Sequence, residues 1–279
     1  MSAAVERHAD AERFLAAAEQ WLLEAETESN LLLGIALNSR GREPTDPPPY
    51  WATVHDENGI VGCACRTPPH LLVLSRVPDA AIAALVEDVG RVYPALNGVN
   101  GPTEDAEAFA RTWIARHGGT SRTRFRMRLH ELTRVSFAGD MPPGSLRKAT
   151  QADLPLARAW VDEYVRDVGL PFAAPDMAQR LIGRGQLFFW VDAGRPRSMA
   201  ASTRETRSGC AINTVYTPPR FRRSGFATAA VTTLSDTLLK SGRRFCTLYT
   251  DLANPTSNSI YAKIGYRPIR DDAEIALEP

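Results

Sequence analysis

Three arginines and a glycine stand just ahead of a helix: Arg220, Arg222, Arg223 and Gly225, within residues 212–231. The stretch reads as strand, turn, helix. Residues 212–217 are β-branched and aromatic, which suits a strand, and Pro218 and Pro219 cannot donate backbone hydrogen bonds and so end it. From Gly225 to Lys240 the composition is helical. The first N–H groups of a helix have no partner inside it, and the helix dipole adds roughly half a positive charge there, so a phosphate-bearing ligand is the expected guest. The arginines add charge, and Gly225 has no Cβ to hold a ligand off the backbone. The two commonest phosphate loops are absent. No G-x-x-x-x-G-K-[ST] occurs, and Gly183-Arg184-Gly185 lacks a third glycine and precedes a strand.

A second group of residues follows the strand expected at 244–250: Asn254-Pro255-Thr256-Ser257-Asn258-Ser259-Ile260-Tyr261-Ala262-Lys263-Ile264-Gly265-Tyr266. Arg222-Arg223-Ser224-Gly225-Phe226-Ala227 resembles the [RQ]-x-x-G-x-[GA] turn of the GCN5-related N-acetyltransferases. The later segment resembles the N-x-x-S-x-x-x-Y-x-x-x-G-[FY] helix of the same family, and the two motifs stand in the family's order and spacing. The resemblance covers residues 145–279. It implies acetyl-CoA, or another short acyl-CoA, as co-substrate, and transfer of the acetyl group to a primary amine of a small-molecule or peptide acceptor. It implies that the pyrophosphate lies on the backbone N–H groups of Arg223, Ser224, Gly225, Phe226, Ala227 and Thr228, beside Arg222. The pantetheine arm would run along Val215, Tyr216 and Thr217 as an added strand, where exposed backbone groups at a splayed edge need partners. Ser257 belongs to the same set. Asn254 holds the family's position for a pantetheine contact and serves equally well as the N-cap of the helix opened by Pro255. Two other readings stay open: an acyl-CoA-binding or regulatory protein without turnover, and an acyltransferase similar to the tandem mycothiol synthases.

Tyr261 is the expected catalytic acid. An amine attacking a thioester expels a thiolate whose conjugate acid has a pKa near ~8.5, and a phenol of pKa ~10 at the sulfur can protonate it, worth about 10²- to 10⁴-fold in rate. Ser257, four residues earlier, shares its helix face. A base is also needed, because an alkylammonium of pKa ~10.4 must lose a proton before it attacks. Many members of the family place a glutamate on the strand entering the turn, but here that strand reads Cys210-Ala211-Ile212-Asn213-Thr214, without a carboxylate. Glu205, Asp251 or a water relay are the candidates. In this family the acceptor pocket is usually shaped by the region between the first two helices. Here that region carries Trp160, Glu163, Tyr164, Asp167, Leu170, Pro171 and Phe172, a set that suits a cationic amine or an ordinary amphipathic helix and loop.

The elements that must position these groups repeat. A length of 279 residues fits two domains of ~140 each. Helices at 10–26 and 28–38, a hairpin at 50–56 and 60–66 closed by Glu57-Asn58-Gly59, strand 70–77, helix 79–92, a short strand at 98–100, helix 103–116 and strand 122–135 make the first series. Helices at 152–166 and 175–184, a hairpin at 186–192 and 197–206, strand 210–217, helix 225–240, strand 244–250, helix 255–264 and strand 267–277 make the second. Phe137-Ala138-Gly139-Asp140-Met141-Pro142-Pro143-Gly144 joins them. The fold class expected is α/β (an α+β mixed sheet): two tandem folds of the resembled family, each a mixed, mostly antiparallel sheet flanked by helices. Residues 1–136 form the N-terminal copy and 145–279 the acyl-CoA-binding one. The first copy's turn, Ser75-Arg76-Val77-Pro78-Asp79, has no glycine and puts a carboxylate at the helix start, so that copy is expected to be degenerate.

Charge and cysteine content exclude other classes. With 33 basic and 32 acidic residues the net charge is +1, which argues against nucleic acid as a partner. No apolar segment has the length of a signal sequence or membrane span, so the cytoplasm is the expected location and no membrane partner is expected; a homo-oligomer stays open. Four cysteines show no metal-ligand spacing: Cys63 and Cys65 share a strand face, and Cys210 and Cys246 stand alone. Arg122, Arg124, Arg126 and Arg128 alternate along one strand, as a solvated face or as a basic wall for an acidic partner.

Overall fold

The computed structural model describes residues 3–42, 45–169 and 176–279. The chain divides into two compact units: residues 1–130, 249–255 and 268–279 form unit 1, and residues 131–248 and 256–267 form unit 2.

Unit 1 opens with β1 (Ala4–Arg7), α1 (Ala11–Glu24) and α2 (Glu26–Ser39), followed by the hairpin β2 (Tyr50–Asp56) and β3 (Gly59–Arg66). Asp10 caps α1 by accepting from the Arg13 N–H at 2.8 Å. Gly59, at φ 124°, closes the hairpin in a conformation that favours glycine. Next come β4 (Leu72–Leu74), α3 (Asp79–Val92), β5 (Gly98–Pro102), α4 (Thr103–His117) and β6 (Thr120–Leu132). The last strand of the chain, β12 (Arg267–Glu278), pairs antiparallel with β5, Ile275 opposite Val99. Its Ala273, Ile275 and Leu277 complete the apolar layer under α3 and α4, which is why residues 268–279 lie in this unit rather than with the second half. The α1 and α2 face buries Phe14, Leu22, Leu33, Trp51, Cys63 and Cys65.

Unit 2 runs β7 (Ser145–Lys148), α5 (Leu154–Asp167), α6 (Met177–Gly183), β8 (Leu187–Asp192), β9 (Arg195–Thr203), β10 (Gly209–Tyr216), α7 (Phe226–Lys240), β11 (Phe245–Asp251) and α8 (Pro255–Ile264). Its strand order is β11-β10-β9-β8-β7, with β10–β11 parallel and β10–β9, β9–β8 and β8–β7 antiparallel. The expected mixed, mostly antiparallel sheet with helices on both faces is what each unit has. One face packs Ile212, Leu234, Cys246, Leu248 and Ile264 beneath α7 and α8; the other packs Trp160, Val161, Leu181 and Phe189 beneath α5 and α6.

Several local expectations change. β1 and β7 are short polar edge strands, AVER and SLRK, whose sequences have no apolar alternation to announce them. The four arginines of β6 are not a free basic wall. Arg122 meets Glu278, Arg124 meets Glu274 at 3.0 Å, Arg126 meets Glu107 at 2.9 Å, and Arg128 grips Asp271 through two bonds of 2.6 and 2.9 Å. Cys210 and Cys246 do not stand alone: parallel register sets them opposite each other, with Sγ atoms 3.9 Å apart, both buried and reduced. Among the described residues no helix is long and apolar enough to cross a membrane, and no group of three His, Cys, Asp or Glu could hold a metal ion.

Candidate functional site

Strand β10 leaves its parallel neighbour before it ends. The register with β11 runs from Gly209 opposite Phe245 to Ala211 opposite Thr247, while β10 continues to Tyr216. On its other side the pairing with β9 is interrupted between Asn213 and Tyr216, where Thr214 takes φ 51°. A β-branched residue in the left-handed region costs about 1–3 kcal/mol and persists only where its surroundings impose it. The bulge turns the Thr214 N–H toward the hydroxyl of Tyr164 on α5.

The chain then passes through Pro218 and Pro219 into an exposed turn, residues 222–225. Arg223 sits at φ 64° and Gly225 at φ 77°, and α7 begins at Phe226. The first bond closing the helix runs from the Ala229 N–H to the Gly225 carbonyl, so the N–H groups of Phe226, Ala227 and Thr228 have no partner inside it, and no side chain caps it. A Cβ built on Gly225 meets nothing closer than Pro142 Cδ at 3.5 Å, so the turn is open on that side. Free donors, a helix N-terminus and exposed arginines fit a pyrophosphate. Arg222 shapes the turn rather than reaching outward: its Nε donates to the Thr217 carbonyl at 3.0 Å and its fork is held by Asp167. Phe226 and Val215 pack their side chains against the α7–α8 core and offer only backbone.

Helix α5 supplies the facing wall. Thr150 and Asp153 cap its start, the Asp153 carboxylate accepting the Thr150 N–H at 2.8 Å and a two-bonded Arg147. Trp160, Glu163, Tyr164 and Asp167 recur at helical spacing and so lie along one side. Trp160 packs edge-on against the Tyr216 ring, Tyr216 donates its hydroxyl to Glu163 Oε2 at 2.6 Å, Tyr164 faces Thr214, and Asp167 holds Arg222. Burial, and secondly the Glu163 carboxylate, push the Tyr216 phenol up to about 12. Burial also raises Tyr164, partly offset by the charge of Arg204 and the Thr214 N–H. Leu170, Pro171 and Phe172 lie outside the described residues.

Tyr261 is half-buried on α8, edge-on to Tyr266 at 5.9 Å, and its phenol is pushed up by burial and then by Tyr164, so it stays protonated. That electrostatic neighbour joins α8 to the α5 wall within unit 2. Ser257 lies one turn earlier on α8. Asn254 and Asp251 sit in the turn after β11, in the segment grouped with unit 1; Asp251 accepts the Ala253 N–H at 2.8 Å. Glu205 is not brought to the turn. It lies beyond the opposite end of β10, paired with Arg243, and the strand's eight residues separate it from Thr217 by roughly 25 Å at ~3.3 Å per residue.

The corresponding turn of unit 1 is closed. The Val77 N–H, between β4 and α3, donates to Asp105 Oδ1 at 2.6 Å, so a carboxylate from α4 already holds the donor an anion would need. Gly62 and Val77 pack so closely that a Cβ on Gly62 would lie 2.8 Å from Val77 Cγ2.

A splayed parallel pair thus feeds a bulged strand into an open turn suited to an anion. Comparison with known proteins adds to this geometry. Residues 191–275 match the family model described as FR47-like protein. A GCN5-related N-acetyltransferase from Sphaerobacter thermophilus shares the fold at a TM-score of 0.61 and 15% identity, over 99% of this chain and 96% of that one. A tandem GNAT protein from the clavulanic acid biosynthesis pathway, solved without AcCoA, aligns at 0.57 and 12% over 99% and 98%. A Drosophila protein aligns at 0.69 and 13% over 100% and 99%. No curated protein matches the chain in sequence. The chain shares its fold with these GCN5-related N-acetyltransferases.

Proposed function

We propose that this chain is an acetyl-CoA-dependent N-acetyltransferase acting on a primary amine of a small-molecule or peptide acceptor, with its one cofactor site in unit 2. The observation that carries the reading is the continuity of the splayed, bulged end of β10 with the open turn at Arg223, Ser224 and Gly225. Bound acetyl-CoA supplies the activated acyl group. The N–H groups of residues 223–228 hold its pyrophosphate, and the backbone of Val215, Tyr216 and Thr217, free of β11, takes the amide-bearing arm. Ser257, one turn before Tyr261 on α8, lies on the side of unit 2 assigned to the same arm. Tyr261, kept protonated by burial, gives its proton to the departing sulfur. The closed turn of unit 1 supports a copy that has lost the site. The reduced cysteines suit a cytoplasmic enzyme.

The test is Tyr261→Phe in a thiol-release assay, with acetyl-CoA binding followed by calorimetry. The expected outcome is unchanged affinity and a kcat lower by about 10²- to 10⁴-fold. A variant as fast as the wild type would remove Tyr261 from the chemistry, and a wild type that does not bind acetyl-CoA would end the enzyme reading.

A further inference from the structure

Among the described residues, the second unit has a half-buried carboxylate without a cation beside the end of β10. Asp167 is held by Arg222, Asp153 by Arg147, Asp192 by Arg197, and Glu205 by Arg243. Glu163 is different. Among the described residues it makes no ion pair, and its bonded partner is neutral: the Tyr216 hydroxyl, 2.6 Å from Oε2. Taking a carboxylate out of water without a cation is costly unless a cationic guest offsets it.

Its position is equally specific. Tyr216 is the last residue of β10, two beyond the bulge at Thr214, on the strand end that has left β11. The next residue of α5, Tyr164, faces the Thr214 N–H and interacts with Tyr261. The charged groups around the Tyr216 phenol that Glu163 accepts from are Asp167 from α5 and Arg222 from the turn, whose guanidinium carbon lies 5.9 Å from the Tyr216 ring centre and is already engaged by Asp167, while Arg204 acts on the neighbouring Tyr164. The Tyr216 phenol, at about 12, remains a donor to Glu163 Oε2 through the neutral range.

We propose that Glu163 is the acceptor-binding base of this enzyme: it receives the alkylammonium of the substrate and takes its proton. This rests on the N-acetyltransferase reading and adds to it the acceptor's charge state and the residue that reads it. The step balances as follows. The ammonium gives one proton to the Glu163 carboxylate, which later releases it to water. The freed nitrogen lone pair forms the C–N bond to the thioester carbonyl carbon, and the C–S bond breaks with its electron pair on sulfur. Tyr261 protonates that thiolate, and the second proton lost from nitrogen restores the Tyr261 phenol.

Glu163→Gln tests it, because the amide oxygen still accepts from Tyr216 while the charge and the base are gone. Thermal melting and acetyl-CoA calorimetry report fold and cofactor site. Thiol release with tyramine, spermidine and L-lysine as probe amines reports turnover between pH 6 and 9. In the wild type, kcat/KM for a reactive probe should be nearly flat over that range. In the variant it should fall at neutral pH by about 10²-fold or more and climb about tenfold per pH unit as the free amine appears. A purely structural role for Glu163 would not produce that pH slope. A folded variant with normal acetyl-CoA affinity, turning over the probe within about threefold of the wild type at pH 7, overturns the proposal and leaves the acetyltransferase reading intact. Acetyl-CoA bound but no probe amine acetylated by the wild type also overturns it, pointing to an acceptor that is not an ammonium. Failure of the wild type to bind acetyl-CoA is the separate result that defeats the underlying function. Glu163→Asp, which keeps the charge on a shorter arm, should recover part of the lost rate.

Discussion

Replacing Gly225 with glutamate should weaken acetyl-CoA binding by about 10²-fold, for reasons that lie in the turn itself. Gly225 holds φ 77° at the start of α7, so any L-residue there adopts the left-handed conformation at a cost of about 1–2 kcal/mol. A Cβ has room, with Pro142 Cδ at 3.5 Å, so packing adds no further cost. Gly225→Ala should therefore lower the melting temperature by a few degrees and weaken acetyl-CoA by less than about tenfold. Gly225→Glu carries the same backbone cost and sets a carboxylate beside the donors of residues 226–228. For charges about 5 Å apart at an effective dielectric of about 20, repulsion of one phosphate charge is ~3 kcal/mol, or a loss of affinity of about 10²-fold. Unit 1 offers no substitute, since Asp105 occupies its turn. Calorimetric titration of acetyl-CoA into the three proteins, each checked for folding by melting, reads both effects. Binding to a folded Gly225→Glu protein within about threefold of the wild type would place the cofactor elsewhere, and Gly225→Ala failing as completely as Gly225→Glu would show that backbone shape, not charge, governs the turn.

Two further predictions concern stability. Arg270, with its side chain 7% exposed, binds Asp272, itself 1% exposed, at 2.6 Å and Glu28 at 3.2 Å in unit 1. Arg270→Ala leaves the buried Asp272 carboxylate without its cation, bonded to the Tyr249 hydroxyl, and urea unfolding should show a loss of about 3–5 kcal/mol; less than about 1 kcal/mol would mean that the pair is dispensable. The Asp153 carboxyl is held far below the usual carboxylate range, first by the Arg147 guanidinium and then by Thr150. Its folded pKa is below the unfolded value near ~3.9, so its contribution is present above that pH and is lost as acid titrates it in the folded state. Asp153→Asn should lower the urea midpoint at pH 7 and flatten its fall below about pH 4; an acid limb as steep as the wild type's would refute the assignment.

Much of the scaffold was legible because its signals are local. Asp10 announced a helix start through a side chain that accepts from its own backbone, Thr150 marked another where Asp153 reaches back to the Thr150 N–H, and Asn58-Gly59 announced a hairpin through a conformation glycine accepts cheaply. The turn at residues 222–225 was legible for the same reason. The edge strands β1 and β7 were not, because a four-residue polar strand is fixed by the neighbour it pairs with, Ala4 opposite His55 and Ser145 opposite Val191. Alternation put Arg122, Arg124, Arg126 and Arg128 on one face, but it could not supply Glu278, Glu274, Glu107 and Asp271, three of which lie near the far end of the chain. The three-and-four spacing of Trp160, Glu163, Tyr164 and Asp167 marked a common helix side, and nothing in it said that the side would face β10.

The sequence by itself determined the turn at residues 222–225, the helix that follows it and the place of Tyr261 on α8, since each depends on residues within a turn or two of one another. Tertiary structure alone decided that Glu205 lies beyond the end of β10 opposite the turn, that Cys210 and Cys246 are neighbours, that β12 completes the apolar layer of unit 1, and that Glu163, bonded to the Tyr216 hydroxyl, makes no ion pair among the described residues. Those outcomes follow from strand register and from which apolar face is left to be covered. Both are properties of segments distant in sequence, and the free energy that fixes them is released only when the segments meet.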